Sequence, residues 1–214
     1  MISCVLFDFD GVIADTERSN GDYLAQALSF FGIPFTQEDR LSLIGTNGAG
    51  TLDRFLQRAD PPLTREQLAR VRERLGNTYE DSPLFPQPGL REWLRELGHQ
   101  GIRTGVVSST STKYIVTALN RMGFTGQFQV IVCGDMVKRP KPAPDSYQLA
   151  MSLLGLSPEE CLAIEDSPTG IQAARAAGLQ VVGYKGGPVE QDTRKAHWEV
   201  RSFQEIPSLP PFRG

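Results

Sequence analysis

The chain has 214 residues, 40% of them hydrophobic and 22% charged, with a formal net charge of −3. That balance describes an ordinary folded protein, long enough for one sizeable core and a smaller accessory module. The charge argues against a nucleic-acid partner, which needs a basic surface, and no apolar run approaches the roughly 18 residues of a membrane span.

The first apolar run, Ile2 to Phe7, stops at Asp8 and reads as a buried parallel strand. Because Asp8 and Asp10 interrupt the apolar stretch and no basic flank precedes it, the segment does not read as a signal peptide, and the cytoplasm is the expected location. From about Thr16 to Leu84 the apolar residues recur only at helical spacing: Leu24, Leu28 and Phe31, then Leu52, Phe55 and Leu56, then Leu68, Val71 and Leu75. No lysine occurs in this stretch, although eight arginines do. The breakers Pro83, Pro86 and Pro88-Gly89 mark its end.

After that point strands and helices alternate. Leu90, Trp93, Leu94 and Leu97 predict a helix, Arg103 to Val107 a strand ending at Ser108, and Tyr114 to Met122 a helix. Val130 to Cys133 predicts a strand, Tyr147 to Leu154 a helix, Cys161 to Ile164 a strand ending at Glu165-Asp166, Pro168 to Ala177 a helix, and Gln180 to Tyr184 a strand. The tail beyond Ile206 reads as irregular. Such alternation predicts an α/β doubly wound parallel sheet, with a core formed by 1–15 and 85–214 and a helical cap, 16–84, inserted after the first strand. Cys4, Cys133 and Cys161 fit neither a zinc site nor a disulfide framework and read as buried, reduced thiols.

Three polar clusters fall at predicted strand C-termini, where ligands bind in open α/β sheets. They are Asp8-Phe9-Asp10-Gly11, Ser108-Ser109-Thr110-Ser111-Thr112 and Glu165-Asp166-Ser167. Alternate residues of an extended chain share a face, so Asp8 and Asp10 can both address one spot. One ionised aspartate can attack phosphorus; the other can serve as acid only if nearby negative charge raises its pKa. A phosphate dianion repels an anionic nucleophile, which calls for a cation. The oxygens of Asp8, Glu165 and Asp166 suit magnesium better than zinc. Hydroxyls that open a helix, together with Lys138 or Lys141 in a proline-stiffened loop, can hold phosphoryl oxygens.

These four segments, with Lys141-Pro142-Ala143-Pro144-Asp145 among them, resemble the four motifs of the haloacid dehalogenase (HAD) superfamily. The helical stretch resembles the cap of its β-phosphoglucomutase-like branch, and the resemblance covers nearly the whole chain. It implies a Rossmann-like core with Asp8 as nucleophile and Asp10 as acid and base. It also implies Mg2+ held by Asp8, the Asp10 carbonyl, Glu165 and Asp166, and phosphate contacts from Ser108, Ser109 and Lys141. Thr16, Glu17, Asn20 and Asn47 are the candidate contacts to the rest of the substrate, with the glycine-rich turn 45–50 facing the site. Asp145 reads as a helix N-cap.

Within that superfamily the true dehalogenases lack the acid matching Asp10, the phosphonate-cleaving branch needs a cap lysine, and the transport ATPases need membrane spans. A phosphatase of a small phosphorylated metabolite is the first reading. A sugar-phosphate mutase is the alternative, although an arginine, a lysine and a histidine of the β-phosphoglucomutases are replaced here by Gly48, Leu75 and Asn20. A non-catalytic protein that binds a phosphorylated ligand is the third. With no long exposed apolar stripe, the chain is expected to be a monomer.

Overall fold

The computed structural model describes residues 1–43, 49–187 and 190–213; the side chains of Glu17, Leu41 and Ala49 are outside that description. Six parallel strands form one sheet: β1 (Cys4–Phe7), β2 (Arg103–Val107), β3 (Val130–Val132), β4 (Cys161–Glu165), β5 (Gln180–Tyr184) and β6 (Trp198–Val200). Their order across the sheet is β3-β2-β1-β4-β5-β6. The chain therefore builds outward from β1 on one side, then returns to β4 and builds outward on the other. The crevice between β1 and β4 is the switch point where doubly wound sheets bind ligands.

Alternation along β1 decides what packs where. Val5 and Phe7 face one apolar cluster with helices α6 (Leu90–His99) and α7 (Thr112–Arg121), whereas Cys4 and Leu6 face a second with α8 (Asp145–Leu154) and α9 (Pro168–Ala176). The sheet is covered on both faces, so its strands read as continuous apolar runs. The helix over 90–97 was legible because Leu90, Trp93, Leu94 and Leu97 are its buried stripe. All three cysteines are buried and unpaired.

Between β1 and α6 lie α1 (Glu17–Ser29), α2 (Gln37–Leu43), α3 (Ala49–Leu56), α4 (Arg65–Leu75) and the single turn α5 (Thr78–Asp81). Leu24, Leu28, Phe55, Leu56 and Leu68 from α1, α3 and α4 form a third apolar cluster of their own. The two connections to the sheet run side by side: Ala14 bridges Pro86, and Gln87 N–H donates to the Ile13 carbonyl at 2.8 Å. The short α5 packs on α7, and the Arg121 guanidinium of α7 donates to the carbonyls of Tyr79 and Ser82.

Three local expectations change. Trp198–Val200 is a strand that the sequence reading left out, because its three residues hold no apolar run and Glu199 is exposed. The tail is not irregular throughout: Phe203–Ser208 and Pro210–Phe212 form 3-10 turns, and Phe203 and Ile206 are buried in the core. Asp145 is the first residue of α8 rather than its cap, and it pairs with Arg139 at 2.6 Å. Among the described residues no helix is long and apolar enough to cross a membrane.

Candidate active site

The register of the central strands brings the polar clusters together. Phe7 lies opposite both Val106 and Ile164, and the Asp8 N–H continues the ladder to the Ile164 carbonyl at 2.9 Å. Asp8 thus leaves the sheet beside Glu165, at the switch point. The carboxylates of Asp8, Glu165 and Asp166 are all buried, and each offers an oxygen within 4.8 Å of the others.

Lys141 reaches into this cluster from the segment before α8. Its ammonium donates to Asp8 Oδ1 at 2.7 Å, to Glu165 Oε1 at 2.6 Å and to the Val107 carbonyl at 2.8 Å, which uses all three of its protons. Tyr147, in the first turn of α8, donates to the same Glu165 oxygen at 2.6 Å. Glu165 Oε2 lies near the Ser167 hydroxyl, 3.4 Å away. Asp166 Oδ2 accepts from the Gln191 amide at 2.9 Å.

Burial dominates the electrostatics. It pushes the Asp8 carboxyl up to about 8; the Lys141 charge opposes that, while Glu165 and Asp10 add to it. Burial would lower the Lys141 ammonium, but the adjoining Asp8 and Glu165 carboxylates reverse this and hold it above its ordinary value. Three acids against one ammonium leave the cluster over-supplied with negative charge. A divalent cation among these oxygens would correct the imbalance and return Asp8 to its ionised form.

Two glycines make room for the acids. Gly11 has φ +84°, and a Cβ there would lie 2.0 Å from Asp166 Oδ2. A Cβ on Gly170 in α9 would lie 1.9 Å from Glu165 Oε2.

Asp10 sits beside this cluster, yet its carboxylate is held by hydroxyls. Thr16 donates to Oδ1 at 2.5 Å, Tyr79 to the same oxygen at 2.8 Å, and Thr110 to Oδ2 at 3.0 Å. Thr16 is the N-cap residue of α1, but its side chain caps nothing there and turns to Asp10 instead. Asn20, one turn into α1, reaches the Tyr79 hydroxyl at 3.4 Å.

Ser108 is buried, and its Oγ accepts from the Thr110 N–H at 3.0 Å, shaping the turn after β2. Ser109 is exposed at the rim and makes no side-chain hydrogen bond among the described residues. The Glu17 side chain and Asn47, with most of the turn 45–50, lie outside the described residues.

The motifs alone pointed to Asp8, Asp10, Ser108, Lys141, Glu165 and Asp166, but they gave no sign of Tyr79, Tyr147 or Gln191. Thr110 was visible only as a member of its hydroxyl cluster. Tyr79 carried one usable signal, its match to a tyrosine of the β-phosphoglucomutases.

A family description, haloacid dehalogenase-like hydrolase, matches residues 5–184. The chain belongs to this family. It is 35% identical over 193 residues to protein CbbY of Cereibacter sphaeroides, covering 85% of this chain and 84% of that one. It is 33% identical over 187 residues to the fructose-1-phosphate phosphatase YqaB of Escherichia coli (strain K12), covering 83% and 94%. Among solved structures it is similar to CbbY from Rhodobacter sphaeroides in complex with xylulose-(1,5)bisphosphate, with a TM-score of 0.82, 29% identity and 96% of each chain covered. This HAD hydrolase thus has the parallel sheet, the switch-point acids and the buried lysine on one scaffold.

Proposed function

We propose that this HAD hydrolase is a magnesium-dependent phosphatase of a small phosphorylated metabolite, with sugar phosphates the leading class, and that it works through an aspartyl-phosphate on Asp8. The observation that carries the reading is the joining of Asp8, Lys141, Glu165 and Asp166 at one switch point, where a single ammonium serves two of three neighbouring carboxylates. The phosphatase named among its relatives and the sugar bisphosphate bound in a structural neighbour support the substrate class.

The clustered side-chain donors are all carboxylate oxygens, which suit a hard cation. Asp8 and Asp166 would hold magnesium, with Glu165 directly or through water and the Asp10 carbonyl completing the set. Once bound, it would supply positive charge that offsets the repulsion between a phosphoryl group and the Asp8 carboxylate.

An Asp8 oxygen attacks phosphorus, and the bond from phosphorus to the leaving oxygen breaks as that oxygen takes a proton from Asp10. A water then attacks the aspartyl-phosphate and gives a proton to Asp10. The acyl-phosphate bond breaks, Asp8 is restored, and one alcohol and one inorganic phosphate leave. Lys141 balances Asp8 and the transferring group, and Ser108 and Ser109 hold phosphoryl oxygens. Segment 16–84 acts as a cap over the core formed by 1–15 and 85–214, excluding bulk water. Glu17, Asn20 and Asn47 read the leaving group, whereas Thr16, expected beside them, is fully buried with its hydroxyl on Asp10.

The test is incubation with magnesium and a panel of phosphorylated metabolites, wild type beside Asp8→Asn, following inorganic phosphate. Release by the wild type alone, and only with metal, supports the proposal. Glucose 6-phosphate formed from β-glucose 1-phosphate with little free phosphate would make the chain a mutase instead.

A further inference from the structure

Tyr79 lies in the four-residue turn α5, 69 residues from Asp10, yet its hydroxyl donates to Asp10 Oδ1 at 2.8 Å. An ordinary core tyrosine needs only some partner for its polar tip. This one is placed more closely than that. Its ring is buried, stacked on Tyr114 of α7 at 5.5 Å and tilted against Phe9 at 6.2 Å. The main chain beneath it is pinned as well: Arg121 donates to the Tyr79 and Ser82 carbonyls, Lys113 pairs with Glu80 at 3.0 Å, and the Asn77 side chain caps the N–H groups of Tyr79 and Glu80. The hydroxyl is therefore fixed relative to α7, not free to follow the rest of the helical segment.

We infer that Tyr79 is a positioning residue for Asp10, holding its carboxyl in one place through both halves of the reaction. The inference rests on the phosphatase reading above. A carboxylate that alternately gives and takes a proton needs neighbours that tolerate both forms, and hydroxyls do, because each can donate or accept. Tyr79 lies 3.1 Å from Thr110 Oγ1, a contact in which either oxygen can donate, and Thr110 itself donates to the other Asp10 oxygen at 3.0 Å. When Asp10 is ionised, both hydroxyls point at it. When Asp10 carries the proton for the leaving oxygen, the remaining lone pairs of its carboxyl can still accept from Tyr79 and Thr110. Held on both oxygens, the carboxyl keeps one orientation, and acid catalysis depends on such fixed placement.

Tyr79→Phe keeps the ring and removes only the hydroxyl. The readout is kcat/KM, which reports steps up to loss of the leaving group, for two kinds of phosphate. The p-nitrophenolate ion departs without a proton; the alkoxides of fructose 1-phosphate, glucose 6-phosphate and phosphoglycolate do not. Against the best alkyl phosphate, Tyr79→Phe should fall about tenfold to a hundredfold, part of what a general acid contributes. Against p-nitrophenyl phosphate the fall should be at least about tenfold smaller, with thermal unfolding within about 4 °C of wild type. Asp10→Asn should show the same contrast, enlarged. Equal losses on both substrates, or no loss on either, would overturn the inference while leaving the phosphatase standing. A wild type that hydrolyses only the aryl phosphate would also overturn it, since no acid step would remain for Tyr79 to support. A wild type that hydrolyses neither would overturn the phosphatase reading itself, and this inference with it.

Discussion

The Lys141 ammonium lies 2.7 Å from the Asp8 carboxylate, with both groups almost wholly out of solvent. A second buried acid, Glu165, shares the ammonium at 2.6 Å. Breaking a buried pair from one side is costly because it strands the other charge. Lys141→Met should therefore lose about 3–5 kcal/mol in urea unfolding at about pH 9, above the raised Asp8 value of about 8, and phosphate release should fall at least about a hundredfold, as when a charge-stabilising donor is removed. A variant as stable as wild type would mean that the ion pair is not the resting state.

A cation that binds only the folded chain stabilises it by mass action. At a hundred times its dissociation constant magnesium should add about 2.7 kcal/mol, or roughly 5–10 °C for a chain of this size. Asp166 is one of the three clustered acids, and the Gln191 amide orients it. Asp166→Asn should remove most of the shift, and EDTA should reverse it in the wild type. Thermal scans at matched ionic strength check both. An equal shift in wild type and Asp166→Asn would place the ion elsewhere.

The strands of the core were legible for a physical reason. A strand buried on both faces must be an apolar run, and the acid or hydroxyl that ends it marks the ligand edge, as at Asp8, Ser108 and Glu165. The edge strand Trp198–Val200 carries no such run and was invisible. The partners of the site residues were hidden for another reason. Tyr79 meets Asp10, and Gln191 meets Asp166, through tertiary contacts with no fixed spacing. Tyr147 sat in plain view on a predicted helix, but periodicity assigns its ring to the core and says nothing of its hydroxyl, which goes to Glu165.

Asp39, in α2, is held tightly by its neighbours. Two charge-assisted bonds from Arg58, at 2.8 and 2.6 Å, come first, then the Thr36 N–H, and together they hold its carboxyl well below the usual range. A lowered acid contributes stability that is fully present above its unfolded value, near 3.8, and is lost as pH falls through the folded value. Arg58→Met should thus cost about 1 kcal/mol at pH 7, a figure kept small because the arginine is partly exposed. The gap between variant and wild type should shrink as pH falls below about 4. Urea midpoints from pH 7 to pH 2 test this; a gap that stays constant would mean that Arg58 acts by packing against Phe55 rather than by charge.

Gly170 and Gly98 both lie in helices, and neither has a positive φ. Alanine in a helix interior is favoured over glycine by about 0.8–1.0 kcal/mol. At Gly98, in the last turn of α6, a Cβ meets nothing within 4 Å, so Gly98→Ala should be stabilising by less than that interior value. At Gly170 the Cβ would lie 1.9 Å from Glu165 Oε2 and 2.1 Å from its Cδ. A side-chain tip can usually move away, but Glu165 is fully buried and tied through its other oxygen to Lys141 and Tyr147. Overpacking of that kind costs about 1–3 kcal/mol, enough to outweigh the helical gain. Gly170→Ala should therefore lower stability on balance, and phosphate release should fall with it because the displaced carboxylate drags Lys141 from Asp8. Thermal unfolding of the two alanine variants side by side gives the test. A stabilised, fully active Gly170→Ala would mean that Glu165 has room to shift and that its present geometry is not required.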